Sequence, residues 1–360
     1  MRYGYTTGAC AAAATKAALL KIYGKESKKV TIVNSKGERI EIPILRCEKI
    51  DDHSAYASVV KDAGDDAPDD VTHGLEIISR VLISAGGGIL LKGGEGVGVV
   101  TKRGLPVAVG EPAINPMPRL MMEKEVRELV QPGFKAEITI EVPRGRKVAG
   151  KTSNPKLGII GGISIIGTTG IVVPRSTIAF KQVILQQIAF AVAQGHRRLV
   201  LVPGNIGEEA AVTILNPPKE TIIQMGDHVG FTMDSAVQKG INELILVGHP
   251  GKMVKLAASI FNTHYSMGDG RQEVIAAFAA LRGAPQRLIE QILGSTTVDE
   301  IIPLLTLNNL TRPTFDEIAK RISQKSLERL GSHTHVSAII VSRDGVILGT
   351  DCKEVMEGKG

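Results

Sequence analysis

The sequence predicts a mixed chain: an α+β first domain, then an α/β doubly wound (Rossmann-like) second domain with a helical C-terminal part. Strand and helix patterns of the first half follow one another in no regular alternation, which is typical of α+β domains. In the second half, buried strand patterns are followed by a glycine-containing loop and a helix pattern. From about residue 270 helical patterns dominate.

The length of 360 residues favours two domains over one. Composition turns to Pro, Gly and basic residues in "PRGRKVAGKTSNPKLG", which is typical of a junction. We therefore expect domains at 1–150, with glycine-rich and Asp-rich loops, and at 151–360, with C-terminal helices and a hairpin.

In the first domain, Thr6 or Thr7 caps a helix pattern that ends at Gly24. Strand patterns follow in "KKVTIV", "RIEIPILRC" and "AYASVVKD". We expect a helix in "HGLEIISRVLIS", strands in "GGILLKGGEGVGVVTKRGLPVAV", a helix near "MPRLMMEKEVRELV" and a strand in "KAEITIEV".

In the second domain, a helix pattern ends at Gly195, and the strand patterns "RRLVLVPG" and "NELILVGHPG" each lead into a helix. Ligands of doubly wound sheets lie beyond the carboxyl ends of the strands, here "VPGN" and "VGHPGK". Near the end, "VSAIIVSRDGVILG" predicts a hairpin with an Asp-Gly turn.

Composition narrows the function classes. Aromatic residues make up 3% of the chain, which argues against single-stranded nucleic-acid binding. Cys10, Cys47 and Cys352 lie far apart without CxxC spacing, so we expect reduced thiols in a cytoplasm and no structural zinc cluster. No apolar run approaches membrane-spanning length. We expect a cytoplasmic protein without nucleic-acid or membrane partners; a net charge of +6 weakly favours anionic ligands, and homo-oligomerisation stays open.

The stretch "GGISIIGTTGIVVPRS" resembles a phosphate-binding loop in its glycine spacing only. Thr168, followed by Thr169, stands where such a loop needs lysine, and β-branched residues follow where a helix must begin. The sequence therefore argues against hydrolysis of nucleoside triphosphates. The stretch is rich in hydroxyl groups, but no Ser-His-Asp arrangement can be read from it.

Gly94, Gly96 and Gly98 follow a strand pattern in "KGGEGVGVV". The spacing resembles the glycine loop of the common class of methyl-donor enzymes. However, Lys92 stands where such loops carry an acidic residue, and the following segment is strand-like instead of helical. Either the loop approaches a ligand closely, or it is a bulged hairpin; spacing alone favours neither.

An Asp-rich loop, "DAGDDAPDDVTHG", contains Asp62, Asp65, Asp66, Asp69 and Asp70. The carboxylates could face a cation or a sulfonium group, or the loop could be solvated and cap a helix. His73 is the titrating group nearest to it, with a structural role as the alternative. His333 and His335 alternate in "SHTHV" but lack a third ligand, and "YTTG" reads as a helix cap or an anion site.

Together, these motifs resemble one family. Arranged in order, "GYTTGACAAAATKAA", "DAGDDAPDDVTHG", "GGEGVGVVTKRGLP", "GEPAINPMPR", "KTSNPKLGIIGGISIIGTTGIVVPRS" and "VPGNIG" are similar to the successive signatures of cobalt-precorrin-5B C(1)-methyltransferases. The dense blocks run from Arg2 to about Asn205. The resemblance implies transfer of a methyl group from S-adenosylmethionine to C-1 of an anionic cobalt corrinoid, giving cobalt-precorrin-6A in anaerobic cobalamin biosynthesis.

The matching blocks contain our candidate site residues, and the role of each is a hypothesis drawn from the chemistry of its side chain. His73 and Asp65 are the candidates for catalysis. The candidates for methyl-donor binding are Asp66, Gly94, Glu95, Gly96, Gly98, Gly167, Thr168, Thr169 and Gly170. The candidates for substrate binding are Thr6, Thr7, Lys102, Arg103, Arg119, Lys151 and Arg175. Cobalt would arrive inside the substrate, so we expect no protein-bound metal.

Two other functions are alternatives to methyl transfer. A nicotinamide-dependent reductase would need a GxGxxG loop that opens a helix, and the sequence contains none. A non-catalytic tetrapyrrole carrier would use the same basic residues, so the residues alone leave it open.

Overall fold

The computed structural model describes residues 2–67, 70–174, 176–331 and 334–357. The predicted mixed α/β class is confirmed. The chain divides into two compact units, Met1–Thr177 and Ile178–Gly360. The division lies later than the boundary expected near residue 150.

The first unit is built mainly from strands. Its strands are β1 (Gly4–Tyr5), β2 (Lys29–Val33), β3 (Arg39–Pro43), β4 (Arg46–Lys49), β5 (Ser54–Val60), β6 (Glu76–Ala85), β7 (Gly88–Gly93), β8 (Val99–Val100), β9 (Phe134–Glu141), β10 (Ile159–Ile160) and β11 (Ile171–Val172). Its helices are α1 (Thr7–Ile22), α2 (Pro116–Leu129) and α3 (Gly145–Ala149), with a 3-10 turn at Gly64–Asp66.

Helix α1 forms the centre of the first core. It packs against β5 and β6, which lie inside a sheet of order β4-β5-β6-β9-β7, and against α2. The run of alanines from Ala11 to Ala14 is fully buried. Alanine has the highest helix propensity and the smallest side chain that still favours a helix, so the backbone of α1 can lie close to the sheet.

The helix expected in "HGLEIISRVLIS" is wrong, because this segment forms β6. The strand pairs on both edges, with β5 and with β9. Ile77, Val81 and Ile83 lie in the core with a spacing that fits the period of a strand. The apolar residues between them imitate a helical stripe in the sequence, and pairing on both edges decides in favour of the strand.

Strand pairing also explains the position of the division. In β10, Ile159 pairs with Val100 of β8, and in β11, Val172 pairs with Gly4 of β1. The segment 151–177, which the sequence prediction gave to the second domain, is therefore held in the first unit.

The second unit alternates strands and helices. Its strands are β12 (Arg198–Val202), β13 (Ile222–Gln224), β14 (Glu243–Gly248), β15 (His335–Val341) and β16 (Ile347–Thr350). Its helices are α4 (Thr177–Ala193), α5 (Asn205–Leu215), α6 (Val229–Gln238), α7 (Pro250–Ala257), α8 (Arg271–Leu281), α9 (Gln286–Gly294), α10 (Val298–Leu307), α11 (Thr311–Leu330) and α12 (Lys353–Met356).

The sheet of the second unit has the order β13-β12-β14-β15-β16. Pairing is parallel from β13 to β15 and antiparallel between β15 and β16. Alternate residues of β12 enter different cores: Leu199 and Leu201 join one apolar cluster, and Val200 joins another. Both faces of the sheet are therefore covered. The predicted C-terminal hairpin is confirmed by β15 and β16.

Candidate functional site

Three sequence blocks meet at the start of α1. We call this place the N-terminal junction and define it by residues 2–10, 61–67 with 70–73, and 164–172. Strand β1 pairs with β11 on one side. On the other side, the Tyr5 N–H donates to the Asp62 carbonyl at 2.7 Å, and the Asp65 N–H donates to the Arg2 carbonyl at 3.0 Å. The first block therefore lies between the Asp-rich loop and the hydroxyl-rich segment.

Two aspartates of the loop hold Arg2. The guanidinium of Arg2 is paired with Asp62, and its backbone N–H donates to Asp65 Oδ2 at 2.8 Å. Partial burial opposes ionisation of Asp62, but the hydrogen bonds from Arg2 and from the Gly64 N–H outweigh it and lower its pKa. Asp65 is exposed and Asp66 is half-buried, whereas Asp69 lies outside the described residues.

Asp70 holds a buried lysine that the sequence did not reveal. Lys61 is 3% exposed, and its Nζ lies 2.6 Å from Asp70 Oδ2. Burial acts to raise the pKa of Asp70, but hydrogen bonds from Lys61 and Thr72 outweigh burial and lower it. Lys61 is the next-to-last residue of the pattern "AYASVVKD", where a lysine is ordinarily exposed, so no sequence signal predicted its burial.

His73 is oriented by the backbone. Its Nδ1 accepts a hydrogen bond from the Ala63 N–H at 3.1 Å and lies 3.9 Å from Asp62. A neutral ring that accepts at Nδ1 carries its proton on Nε2. In this tautomer the ring offers a donor at Nε2, and its Nδ1 lone pair is used by the backbone.

The start of α1 is capped by its own threonine. Thr6 Oγ1 accepts from the Ala9 N–H at 3.1 Å, and the Gly8 N–H donates to the Ile166 carbonyl at 2.9 Å. Thr7 Oγ1 contacts the Ser164 and Ile166 carbonyls and accepts from the Ile166 N–H at 2.8 Å. These groups are used in capping and in joining two segments, which favours the capping interpretation of "YTTG".

Asn154 was not among the residues predicted from the sequence. It links its own loop to the segment that contains Gly162 and Ser164. Its side-chain amide donates to the Gly162 carbonyl at 3.0 Å, and its Oδ1 accepts from Ser164 Oγ at 3.0 Å. Asn154 is buried. Asparagine in a Pro- and Gly-rich stretch reads as a turn residue, so its burial could not be predicted.

We expect Asn154→Ala to lower the free energy of unfolding by about 2 kcal/mol, because it leaves a buried carbonyl and a hydroxyl without their partner. Asn154→Asp keeps the acceptor for Ser164 and should still lose stability, because it removes the donor and places a charge in a buried site. Denaturant unfolding of both variants measures the loss. Equal stability of Asn154→Ala and the unsubstituted chain would contradict the role of this link.

Backbone atoms of the protein fill the space beside the glycines of the glycine loop. A Cβ on Gly96 would lie 1.9 Å from the Val142 carbonyl oxygen, and one on Gly162 would lie 2.1 Å from the Gly96 oxygen. The Gly94 N–H donates to Ile140 and the Gly98 N–H to Ile163. Close packing accounts for glycine at these positions, and the Glu95 side chain between Gly94 and Gly96 is exposed.

The second glycine pair also packs internally. A Cβ on Gly167 would lie 2.2 Å from Thr6 Oγ1, and Gly170 has φ +75° with its carbonyl accepting from the Thr6 N–H. Thr168 is exposed, and its carbonyl accepts from Ser35 Oγ, while Thr169 turns its hydroxyl to the Ile171 backbone. The absence of side chains at Gly167 and Gly170 therefore leaves room for Thr6, the N-cap of α1.

The predicted cationic residues occupy different environments. Lys102, Arg103 and Lys151 are exposed. Arg119 donates from Nε to the Ile114 carbonyl at 2.8 Å and from a terminal nitrogen to the Pro112 carbonyl at 3.3 Å. Arg175 lies outside the described residues, as does His333 of the histidine pair.

Within residues 2–67, 70–174, 176–331 and 334–357, no cluster of three or more His, Cys, Asp or Glu side chains could hold a metal ion. In the same ranges no helix is long and apolar enough to cross a membrane. The thiol of Cys10 is buried in α1, and burial raises its pKa to about 12.

Comparison with known proteins places the chain in a class of cobalamin biosynthesis proteins. The CbiD family model matches residues 1–174, and the model of the CbiD C-terminal domain matches residues 262–352. A crystal structure of the cobalamin biosynthesis protein CbiD from Archaeoglobus fulgidus is 29% identical and covers 76% of this chain and 84% of that one. Its TM-score of 0.38 is too low for its fold to inform this one.

Curated relatives are similar over nearly the whole chain. A cobalt-precorrin-5B C(1)-methyltransferase of Methanocaldococcus jannaschii is 43% identical, over 97% of this chain and 96% of the relative. The protein of the same name from Moorella thermoacetica is 42% identical, over 98% of this chain and 95% of the relative. The chain belongs to the cobalt-precorrin-5B C(1)-methyltransferase (CbiD) family.

Proposed function

We propose that this chain transfers a methyl group from S-adenosylmethionine to C-1 of cobalt-precorrin-5B, giving cobalt-precorrin-6A in anaerobic cobalamin biosynthesis. The observation that carries the proposal is the identity of 43% over 97% of the chain to a relative of that name. The ordered sequence blocks are the part of this similarity that is visible in the sequence alone.

The reaction makes limited demands on side chains. S-adenosylmethionine supplies a methyl group bound to a sulfonium. A ring carbon attacks the methyl carbon in line and displaces S-adenosylhomocysteine, so the methyl–sulfur bond breaks as the carbon–carbon bond forms. The electron pair of the broken bond stays on sulfur. The protein chiefly has to align the two reactants and exclude water.

Charge complementarity supports the assignment of the substrate side. A corrinoid precursor carries acetate and propionate carboxylates, which pair well with lysine and arginine. Lys102, Arg103, Arg119 and Lys151 are our candidates, with Arg175 as a fifth outside the described residues. We propose that Thr6 and Thr7 contribute indirectly, by fixing the N-terminal junction.

On the donor side, exposed carboxylates that complement a sulfonium charge are better candidates for direct contact with the methyl donor than the glycines are. Asp65 is exposed beside Arg2, and Asp66 lies next to it in the 3-10 turn. Glu95 offers a further exposed carboxylate. Gly94, Gly96, Gly98, Gly167 and Gly170 have their open sides filled by protein atoms, so we propose that they, with Thr168 and Thr169, shape the surroundings of the donor site.

Asp65 and His73 are our candidates for the step that removes a proton. Because the Nδ1 lone pair of His73 is taken by the Ala63 N–H, we propose that Asp65 is the base and that His73 holds the loop in position. We expect His73→Asn to keep kcat within about threefold of the unsubstituted chain, because Oδ1 of asparagine can replace Nδ1 as acceptor for the Ala63 N–H. His73→Ala should lose more, because the loop loses this bond.

The pH profile separates the two roles of His73. If both variants lose about a hundredfold in kcat and the acidic limb of the profile disappears, His73 is a general base. Rescue by asparagine with an unchanged pH profile supports a positioning role. Asp65→Asn, measured in the same series, tests whether the carboxylate contributes to donor affinity or to kcat.

We infer a doubly wound arrangement for the second unit from its strand order and its two-sided packing. The carboxyl ends of β12 and β14 would then offer a further place for a ligand. We also propose that the protein acts in the cytoplasm, without nucleic acid, and that it can form a homo-oligomer.

The test is turnover by the purified chain with cobalt-precorrin-5B and S-adenosylmethionine, followed by mass spectrometry. We expect a corrinoid product heavier by one methyl group and an equal amount of S-adenosylhomocysteine. A chain that binds the ring but neither binds S-adenosylmethionine nor forms product would be a carrier, and the proposal would be wrong.

A further inference from the structure

A small apolar surface lies on β8 and β10 of the first unit. Val99 and Ile160 face each other in this antiparallel pair, so their side chains project from the same face. They are 39% and 60% exposed, whereas their neighbours Val100 and Ile159 are buried. We call Val99 and Ile160 the β8–β10 platform.

The backbone beneath the platform is held on both edges. Val99 forms a bridge with Pro112, and the Val100 N–H donates to the Glu111 carbonyl at 3.0 Å. On the other edge, the Thr101 N–H donates to the Gly158 carbonyl at 2.9 Å. The platform is therefore a short, fixed sheet surface, which suits a flat ligand.

Cationic side chains lie at both margins of the platform. At the β10 margin, a Cβ on Gly158, the residue before β10, would lie 2.8 Å from Lys102 Cγ, so glycine makes room for the lysine stem. At the opposite margin, a terminal guanidinium nitrogen of Arg119 donates to the Pro112 carbonyl at 3.3 Å. The same nitrogen lies 3.6 Å from Oε2 of the Glu111 carboxylate. Lysine stems commonly cover apolar surface while the ammonium group reaches outward.

We propose that the β8–β10 platform seats one face of the corrinoid ring, with ring carboxylates directed to Lys102 and Arg119. The inference rests on the proposed function, which supplies an anionic macrocycle as substrate. An apolar centre with cations at both margins complements a ring with an apolar face and a carboxylate rim. A protein partner would need a much larger apolar patch.

The test is a titration of the full-length chain, followed by visible absorbance. The probes are a cobalt corrin with free carboxylates and the methyl ester of the same corrin. We expect Ile160→Asp to weaken binding of both by about tenfold, because apolar contact is replaced by a charge. Lys102→Met should weaken binding of the acid several-fold and leave binding of the ester unchanged.

Leu281→Asp is the matched control, because Leu281 is an exposed leucine of α8 in the second unit. Ile160→Ser, which adds no charge, keeps the test valid if the aspartate variant unfolds. Corrin binding by Ile160→Asp equal to that of the control would overturn the proposal. A changed sedimentation coefficient with unchanged corrin affinity would also overturn it, because the platform would then cover a second copy.

The experiments distinguish an error in the platform proposal from an error in the proposed function. Methyl transfer by the unsubstituted chain and undiminished transfer by Ile160→Asp at limiting ring concentration would overturn the platform alone. An unsubstituted chain that neither binds the corrin nor methylates cobalt-precorrin-5B would overturn the proposed function and, with it, the platform.

Discussion

Gly96→Ala is expected to lower the free energy of unfolding of the first unit by more than about 4 kcal/mol, which few single substitutions do. The new Cβ would lie 1.9 Å from the Val142 carbonyl oxygen, a backbone atom that cannot rotate away. Gly96 also has φ +70°, which costs a residue with a side chain about 1–2 kcal/mol. Denaturant unfolding and the yield of folded protein measure the effect.

Gly161→Ala is the control for Gly96→Ala. Gly161 has a similar φ of +82°, but a Cβ there meets nothing within 4 Å. We expect this variant to lose only the cost of the left-handed backbone. Equal losses in the two variants would mean that the glycine loop is not tightly packed and would restore a ligand cradle as its explanation.

Lys61→Met is expected to lower the free energy of unfolding by about 3 kcal/mol or more, because it leaves Asp70 without its buried partner. The Asp70 carboxylate is largely shielded, so water can replace the ammonium group only in part. Lys49→Met is the matched control. Lys49 and Asp52 form an ion pair that is mostly exposed, and such pairs contribute about 1 kcal/mol at most.

The pH dependence of the Lys61 variant checks the same contact. Because the folded pKa of Asp70 lies below its unfolded value near 3.9, the contact stabilises the fold above that pH. This stability is lost as the pH falls through the folded pKa. We expect Lys61→Met to flatten the acid limb of the stability curve. An unchanged acid limb would show that Asp70 is stabilised by other groups.

Local signals predicted much of the fold. The N-cap of α1, the alternation in the second half and the Asp-Gly hairpin each depend on neighbouring residues, and the structure has all three. The assignment of β6 failed because pairing with β5 and β9 is a long-range property. The sequence also could not show that β10 and β11 pair with strands that precede them by many residues, which keeps both in the first unit.

The sequence could predict which blocks of residues form the candidate site, but it could predict few of the contacts between them. The sequence selected the glycine loop and the Asp-rich loop, but it could not show that Gly96, Gly145 and Gly162 lie against one another. Burial of Lys61 and Asn154 also depends on distant segments. Resemblance to a family identifies which blocks belong together, whereas the partner of each side chain follows only from the folded chain.

The most direct test of the central claim is where the transferred methyl group is attached. Cobalt-precorrin-5B should be incubated with the purified chain and S-adenosylmethionine carrying a ¹³C-labelled methyl group, and the product analysed by mass spectrometry and NMR. We predict one added methyl group, with the label bonded to C-1. A label at another carbon, or no transfer by a folded chain that binds both reactants, would contradict the account.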